Sequence, residues 1–145
     1  MPLPSGQFPQ RRLRRMRKDE FSRRLVRESR LSSDDLILPA FDDDGRKSVQ
    51  PVSSMPGVSR RSVDELLPIV EQAVALGITA ITLFPVIEPS GKSLDAREAF
   101  NAEGLVPRCI REVKARFPDI AVITDVALDP YTSHGQDGLI DESGY

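Results

Sequence analysis

Three short apolar runs, separated by stretches of helical periodicity, constrain this chain more than any other feature of it. LILPAF at residues 36–41 lies between Asp34-Asp35 and Asp42-Asp43-Asp44-Gly45, ITAITLFPV begins at residue 78, and IAVITDVAL covers residues 120–128. Apolar runs of this length bounded by turn residues suit fully buried strands. Between the first two, SVDELLPIVEQAVALG predicts a helix. Ser62 stands as its N-cap, Glu65 completes a capping box, Gly77 ends it, and Pro68 predicts a kink in the first turns. Between the second and third, the loop PSGKSLDAREAFNAEG leads into a predicted helix over residues 105–117. Strand, helix, strand, helix, strand with short connections reads as parallel α/β architecture. No glycine-rich dinucleotide fingerprint follows any strand, and Pro39, Pro85 and Pro130 are read as strand C-terminal ends leading into polar loops. Both features favour a barrel over an open sheet. A (β/α)₈ barrel carries its site on those loops but needs about 200 to 250 residues. Three strands cannot close one, so the expectation is either an open sheet or the first part of a longer protein.

The 145 residues are 39% hydrophobic and 29% charged, which suits one globular domain or a piece of a larger one. The single cysteine, Cys109, falls in the helical run VPRCIREVKARF, which excludes a disulfide framework and a thiolate cluster for zinc. A reducing cytoplasm is the expected compartment. Nothing approaches the roughly 20 apolar residues of a membrane span, and MPLPSGQFPQRRLRRMRK has no hydrophobic segment for a signal peptide. An arginine-rich transit peptide is disfavoured by Asp19, Glu20 and Glu28.

The net charge of −2 hides an asymmetry. Residues 1–30 hold 10 Lys/Arg against 3 Asp/Glu, and the remainder 10 against 19. The first ten residues, with three prolines and a glycine, read as an extended leader. Residues 11–30 read as one or two short helices with a thin apolar stripe, too little to fold alone. We therefore expect a basic arm over residues 1–35, docking in a homo-oligomer on the acidic body of a sister chain, and a partial barrel over residues 36–145. The arm lacks the aromatic interleaving and the motifs of a nucleic-acid binder. No nucleic-acid or membrane partner is expected.

The densest chemistry is TDVALDPYTSHGQDG, residues 124–138, with Asp125, Asp129, Asp137 and the chain's single histidine, His134. If the strand continued through it, Asp125, Ala127 and Asp129 would share one face and Thr124, Val126 and Leu128 the other. Carboxylates buried at a strand end need partners, and a bound cation or polar ligand would supply them. A plainer reading has Asp129-Pro130 opening a turn, Gly135 and Gly138 bending the loop, and Asp137 solvated or capping. His134 is a general acid or base by chemistry, or a hydrogen-bonding loop residue. Lys92 is a conceivable Schiff-base amine, or a solvated loop lysine.

RLRRMRKDEFSRRLVRES, DDLILPAF, SSMPGVSRRSVDELL, LGITAITLFPV and above all ITDVALDPYTSHGQDG together resemble the porphobilinogen synthases, also called 5-aminolevulinate dehydratases. The likeness extends from about Arg11 over the rest of the chain. It implies a (β/α)₈ TIM barrel, of which this chain carries the N-terminal arm and the first three or so βα units. The implied activity is condensation of two molecules of 5-aminolevulinate, with loss of two waters, to porphobilinogen. The implied assembly is a homo-octamer held through the arm.

Zinc-dependent members of the family place cysteines where this chain has Ala127, Asp129 and Asp137. The resemblance therefore points to the aspartate-rich, magnesium-responsive branch. Asp125, Asp129, Ser133, His134 and Asp137 are expected to line the active site, and Asp129 and Asp137 are the metal candidates. Mg²⁺ rather than catalytic Zn²⁺ is expected, and no organic cofactor. The family's Schiff-base lysines come from later strands, and Lys18, Lys47, Lys92 and Lys114 do not occupy their positions. The chain is thus expected to be an N-terminal part that cannot catalyse the condensation alone. One rival is a non-catalytic shortened relative that binds an intact synthase subunit. Another is a Mg²⁺-dependent α/β enzyme of different chemistry using Asp125, Asp129 and Asp137.

Overall fold

The computed structural model describes residues 6–9, 11–141 and 143. Most of the proline-rich leader, residues 1–5 and 10, therefore lies outside the described residues. The chain divides into two units, residues 1–32 and 33–145.

The first unit contains two short helices, α1 (Arg15–Lys18) and α2 (Glu20–Leu25). Arg23 ties them together, its guanidinium donating to the carbonyls of Arg17 and Lys18 and pairing with Glu20 at 2.7 Å. These polar links stand in for a core, because Leu13, Phe21 and Leu25 are each more than two-thirds exposed. Helices of four and six residues do not hold themselves together by backbone propagation alone.

The second unit is built on one five-stranded sheet. Its strands are β1 (Ile37–Asp43), β2 (Val49–Pro51), β3 (Ser59–Ser62), β4 (Ala80–Val86) and β5 (Ala121–Thr124), in the order β2-β3-β1-β4-β5. The pairs β3·β1, β1·β4 and β4·β5 are parallel, and only β2·β3 is antiparallel. Helices α3 (Val63–Ala75) and α4 (Leu105–Arg116) are the crossovers into β4 and β5.

Leu66 and Val70 of α3 and Cys109 and Val113 of α4 recur at helical spacing, and all four are buried against Ala40, Ile81 and Leu83 of the sheet. That layer is the core. The other face of the sheet is open: Phe41 and Phe84, cross-strand partners with ring centroids 5.6 Å apart, are only half-buried there, and Ile37 and Ile123 are exposed.

Helix α3 ends as its sequence predicts. Gly77 takes φ +80°, its N–H donates to the Val74 carbonyl, and the Ile78 N–H donates to the Ala73 carbonyl at 2.9 Å. This is the paired closure of a Schellman turn. The start differs from expectation. Ser62 holds the N-cap position but makes no cap bond to the helix. Its hydroxyl instead accepts the Ser48 N–H at 2.9 Å, fastening the β2–β3 hairpin. The helix also runs unbroken across Pro68.

Three further corrections concern strands. None is buried on both faces along its whole length: one face of β1 stays open at Ile37 and Pro39, although Asp42 and Asp43 at its end are both buried, and β5 is largely exposed. The third ends at Thr124 instead of reaching residue 128. Pro39 and Pro85 lie inside β1 and β4, not at their ends. Proline is tolerated there because one neighbour is out of reach at each: β3 pairs β1 only from Phe41 onward, and β5 pairs β4 only as far as Leu83. The β2–β3 hairpin was not expected from the sequence at all.

Candidate functional site

Parallel strands deliver their following loops to one end of the sheet, and here the loops after β4 and β5 meet. The Ser93 N–H donates to the Tyr131 carbonyl at 3.1 Å, and the Ser133 N–H donates back to the Ser93 carbonyl at 3.0 Å. This short parallel bridge, Ser93 with Thr132, makes each loop a support for the other. His134 adds a third tie, its Nε2 lying 3.4 Å from the Leu94 carbonyl while its Nδ1 accepts the Gln136 N–H at 3.2 Å. With Nδ1 accepting, the ring proton belongs on Nε2. Both ring nitrogens thus brace the loop.

Beyond Thr124 the chain leaves the ladder, so the expected face shared by Asp125, Ala127 and Asp129 does not form as strand alternation. Asp125 Oδ1 accepts the N–H of Ala127 at 3.3 Å, a local turn. The decisive contact is at Asp137, whose Oδ1 accepts the Leu128 N–H at 2.6 Å and the Asp129 N–H at 3.0 Å. These two bonds, the first the larger cause, hold the Asp137 carboxyl below its ordinary range. Inside the ring they close, the Tyr131 and Thr132 N–H groups both donate to the Leu128 carbonyl. The Thr132 hydroxyl reaches the Gln136 carbonyl at 3.0 Å. Tyr131 and Thr132 are buried and form the floor of the loop, whereas Asp125, Asp129, Ser133 and Asp137 are exposed at its surface.

The carboxylates are not gathered as a metal cage. Among the described residues, no group of three or more His, Cys, Asp or Glu side chains stands close enough to hold a metal ion. Ala127 offers no ligand atom, and Asp137 is already engaged by two backbone donors. The residues present do not fit a closed protein cage for Zn²⁺ or for a dehydrated Mg²⁺.

Lys114 and Lys47 lie outside these two loops, and Lys92 directly precedes the bridging Ser93. Lys114 Nζ bonds the Pro118 carbonyl and the Ile120 carbonyl, the latter at 2.9 Å, closing the end of α4. Lys47 is exposed with φ +51° in the turn after β1, and Lys92 is half-buried beside a single turn at Pro89–Gly91.

Two acids at the end of β1 were missed, because Asp42-Asp43-Asp44 reads as a solvated boundary. Asp42 and Asp43 are strand residues and buried. Asp43 is satisfied by the Gly45 N–H at 2.8 Å and the Ser48 hydroxyl at 3.0 Å. Asp42 faces the helix layer, is fully buried, and among the described residues neither of its oxygens has a hydrogen-bond partner. Burial pushes its carboxyl up to about 6, with the neighbouring Asp43 charge adding to the rise. Burial first, and the Asp42 charge second, also raise the Cys109 thiol to about 12 and lift Tyr131 above its ordinary value. Cys109 is therefore a packing residue. A cavity of about 720 Å³ opens beside Asp43, lined by Asp44, Glu88, Glu98 and Arg108 among others. None of Asp125, Asp129, Ser133, His134 and Asp137 lines it.

Comparison with known proteins identifies the family. The family profile for delta-aminolevulinic acid dehydratase matches residues 10–144. A delta-aminolevulinic acid dehydratase of Bradyrhizobium diazoefficiens is 50% identical over 129 residues, covering 89% of this chain and 36% of the relative. That of Rhodobacter capsulatus is 39% identical over 140 residues, covering 97% of this chain and 42% of its own length. The crystal structure of the Toxoplasma gondii ME49 enzyme, in complex with the reaction product porphobilinogen, superposes with a TM-score of 0.86 at 44% identity. It covers 99% of this chain and 40% of that one. The chain thus spans between about a third and two-fifths of the length of the relatives it matches, and the helix-backed parallel strands are the opening units of their (β/α)₈ barrel. By a profile matched along nearly its entire length, this chain belongs to the delta-aminolevulinic acid dehydratase family.

Proposed function

We propose that these residues form the N-terminal part of a porphobilinogen synthase, a lyase that condenses two molecules of 5-aminolevulinate to porphobilinogen with loss of two waters. The observation that carries the reading is the closed loop of residues 125–137, braced on the loop after β4 at the C-terminal end of parallel strands. Barrel enzymes place their chemistry at that end. In this reading Asp125, Asp129, Ser133, His134 and Asp137 line the substrate side of the loop. The exposed carboxylate of Asp129 offers negative charge to the ammonium group of a 5-aminolevulinate molecule. The Schiff-base lysines belong to later strands, so the 145 residues alone do not turn over.

The proposal extends to assembly and setting. Residues 1–35 dock on a sister subunit of a homo-octamer in the cytoplasm. Mg²⁺ is the cation of the complete enzyme, the hard ion that exposed carboxylates and water suit. No helix among the described residues is long and apolar enough to cross a membrane.

The test is a chimera in which residues 10–144 replace the matching segment of the Bradyrhizobium relative. Porphobilinogen formation from 5-aminolevulinate by the chimera, with none from the 145-residue chain alone, is the expected result. A folded chimera of the relative's oligomeric mass without activity, or turnover by the chain alone, would overturn the reading.

A further inference from the structure

We propose that Asp137 is a positioning residue: its carboxylate clamps the backbone at Leu128 and Asp129, so that the 125–137 loop takes its shape without a bound metal. Calling this an active-site loop rests on the function proposed above, but the clamp itself does not.

Strand β5 ends at Thr124, so the N–H groups of Leu128 and Asp129 have no ladder to join. Backbone donors that leave a ladder must find another acceptor. Both find the same atom, Asp137 Oδ1, at 2.6 and 3.0 Å, eight or nine residues further along the chain. Two adjacent N–H groups converging on a carboxylate form a charge-assisted anchor. The ring so closed is filled by its own bonds, from Tyr131 and Thr132 to the Leu128 carbonyl and from the Thr132 hydroxyl to Gln136. Asp129 is fixed by its backbone at the mouth of this ring, and its exposed carboxylate makes no hydrogen bond of its own among the described residues. Asp137 therefore acts through Asp129, setting where that carboxylate stands. A cation on the same Oδ1 would be placed beside two N–H dipoles whose positive ends point at it. Clamping and direct ligation through that oxygen are competing uses.

The substitutions separate them. Asp137→Asn keeps an acceptor oxygen and removes the charge, whereas Asp137→Ala removes both. Amide hydrogen exchange is measured on the 145-residue chain and both variants, once with EDTA and once with millimolar Mg²⁺. With EDTA, the Leu128 and Asp129 amides of the unaltered chain are expected to be protected, Asp137→Asn to retain most of that protection, and Asp137→Ala to exchange at least about tenfold faster. The amides of Cys109 and Val113 in α4 serve as reference and are expected to hold.

Protection that appears only with Mg²⁺ and vanishes in Asp137→Asn would overturn the clamp in favour of a metal ligand. Unprotected Leu128 and Asp129 in the unaltered chain would also overturn it, as would a loss in Asp137→Ala shared equally by Cys109 and Val113. None of these outcomes depends on catalysis, so an inactive chimera would sink the proposed function and leave the clamp standing.

Discussion

Asp42, near the end of β1, and Asp137, in the loop after β5, are carboxylates that their surroundings treat in opposite ways. Asp137, at the surface, is held ionised by two backbone donors. Asp42, inside, has lost water and gained no partner. The sign of the pH effect follows. A carboxyl at about 6 in the folded chain against about 3.9 in the unfolded one binds its proton more tightly when folded. The stability it contributes is complete below about pH 4 and is lost as pH rises through 6. Two units amount to about 3 kcal/mol between the extremes. We expect Asp42→Val, which removes the buried charge and suits a strand, to raise the urea midpoint at pH 8 and to flatten its decline between pH 5 and 8. Parallel declines in the two proteins would refute a buried, unpartnered carboxyl. The carboxyls of Glu20, Asp64, Asp95 and Asp137 are instead lowered from their ordinary values, in each case chiefly by a hydrogen-bond donor. Composition could not have located Asp42. Three successive aspartates look solvated, and only the extension of β1 through Asp43 shows that one of them turns inward.

At the scale of elements, the helices were the most legible part of the chain. Periodicity placed α3 and α4 nearly to the residue, because a helix with one apolar stripe declares both its span and its buried face. Gly77 was legible as a stop for a physical reason the structure bears out. A side chain there would be strained at φ +80°, and its Cβ would stand 2.9 Å from Ser33 Oγ. Gly77→Ala should cost about 1–2 kcal/mol in urea unfolding from the left-handed backbone alone. Adding Ser33→Ala should recover only the steric part, and full recovery by that second change would contradict the backbone argument. The hairpin was illegible because neither strand carries an apolar pattern: β2 is exposed throughout, and of β3 only Ser62 is buried. Its one local signal is the turn around Met55-Pro56-Gly57, where Gly57 adopts φ +85°. The third strand was overextended because an apolar run continues to Leu128, whereas its pairing with β4 ends at Leu83 and Thr124, two residues before Pro85, which has no N–H to offer.

For the whole molecule, the open face of the sheet and the edge of β5 are the dominant facts. β5 pairs on one side only, with β4, and Ile123 on it is 41% exposed. An unpaired edge beside exposed apolar side chains invites another strand. Light scattering of the 145-residue chain should therefore report self-association that Ile123→Lys reduces, since a charge on an edge strand opposes edge-to-edge pairing. An unaltered mass distribution would remove β5 from the explanation. The sequence by itself determined the parallel α/β order, the two helices and the family, because apolar periodicity, helix ends and the TDVALDPYTSHGQDG motif are local properties of the chain. Only the tertiary structure decided which strand face is covered, that Asp42 is buried without a partner, and that Asp137 closes its loop on backbone amides. Each of those depends on residues distant in sequence arriving at one place, and no local pattern encodes that arrival.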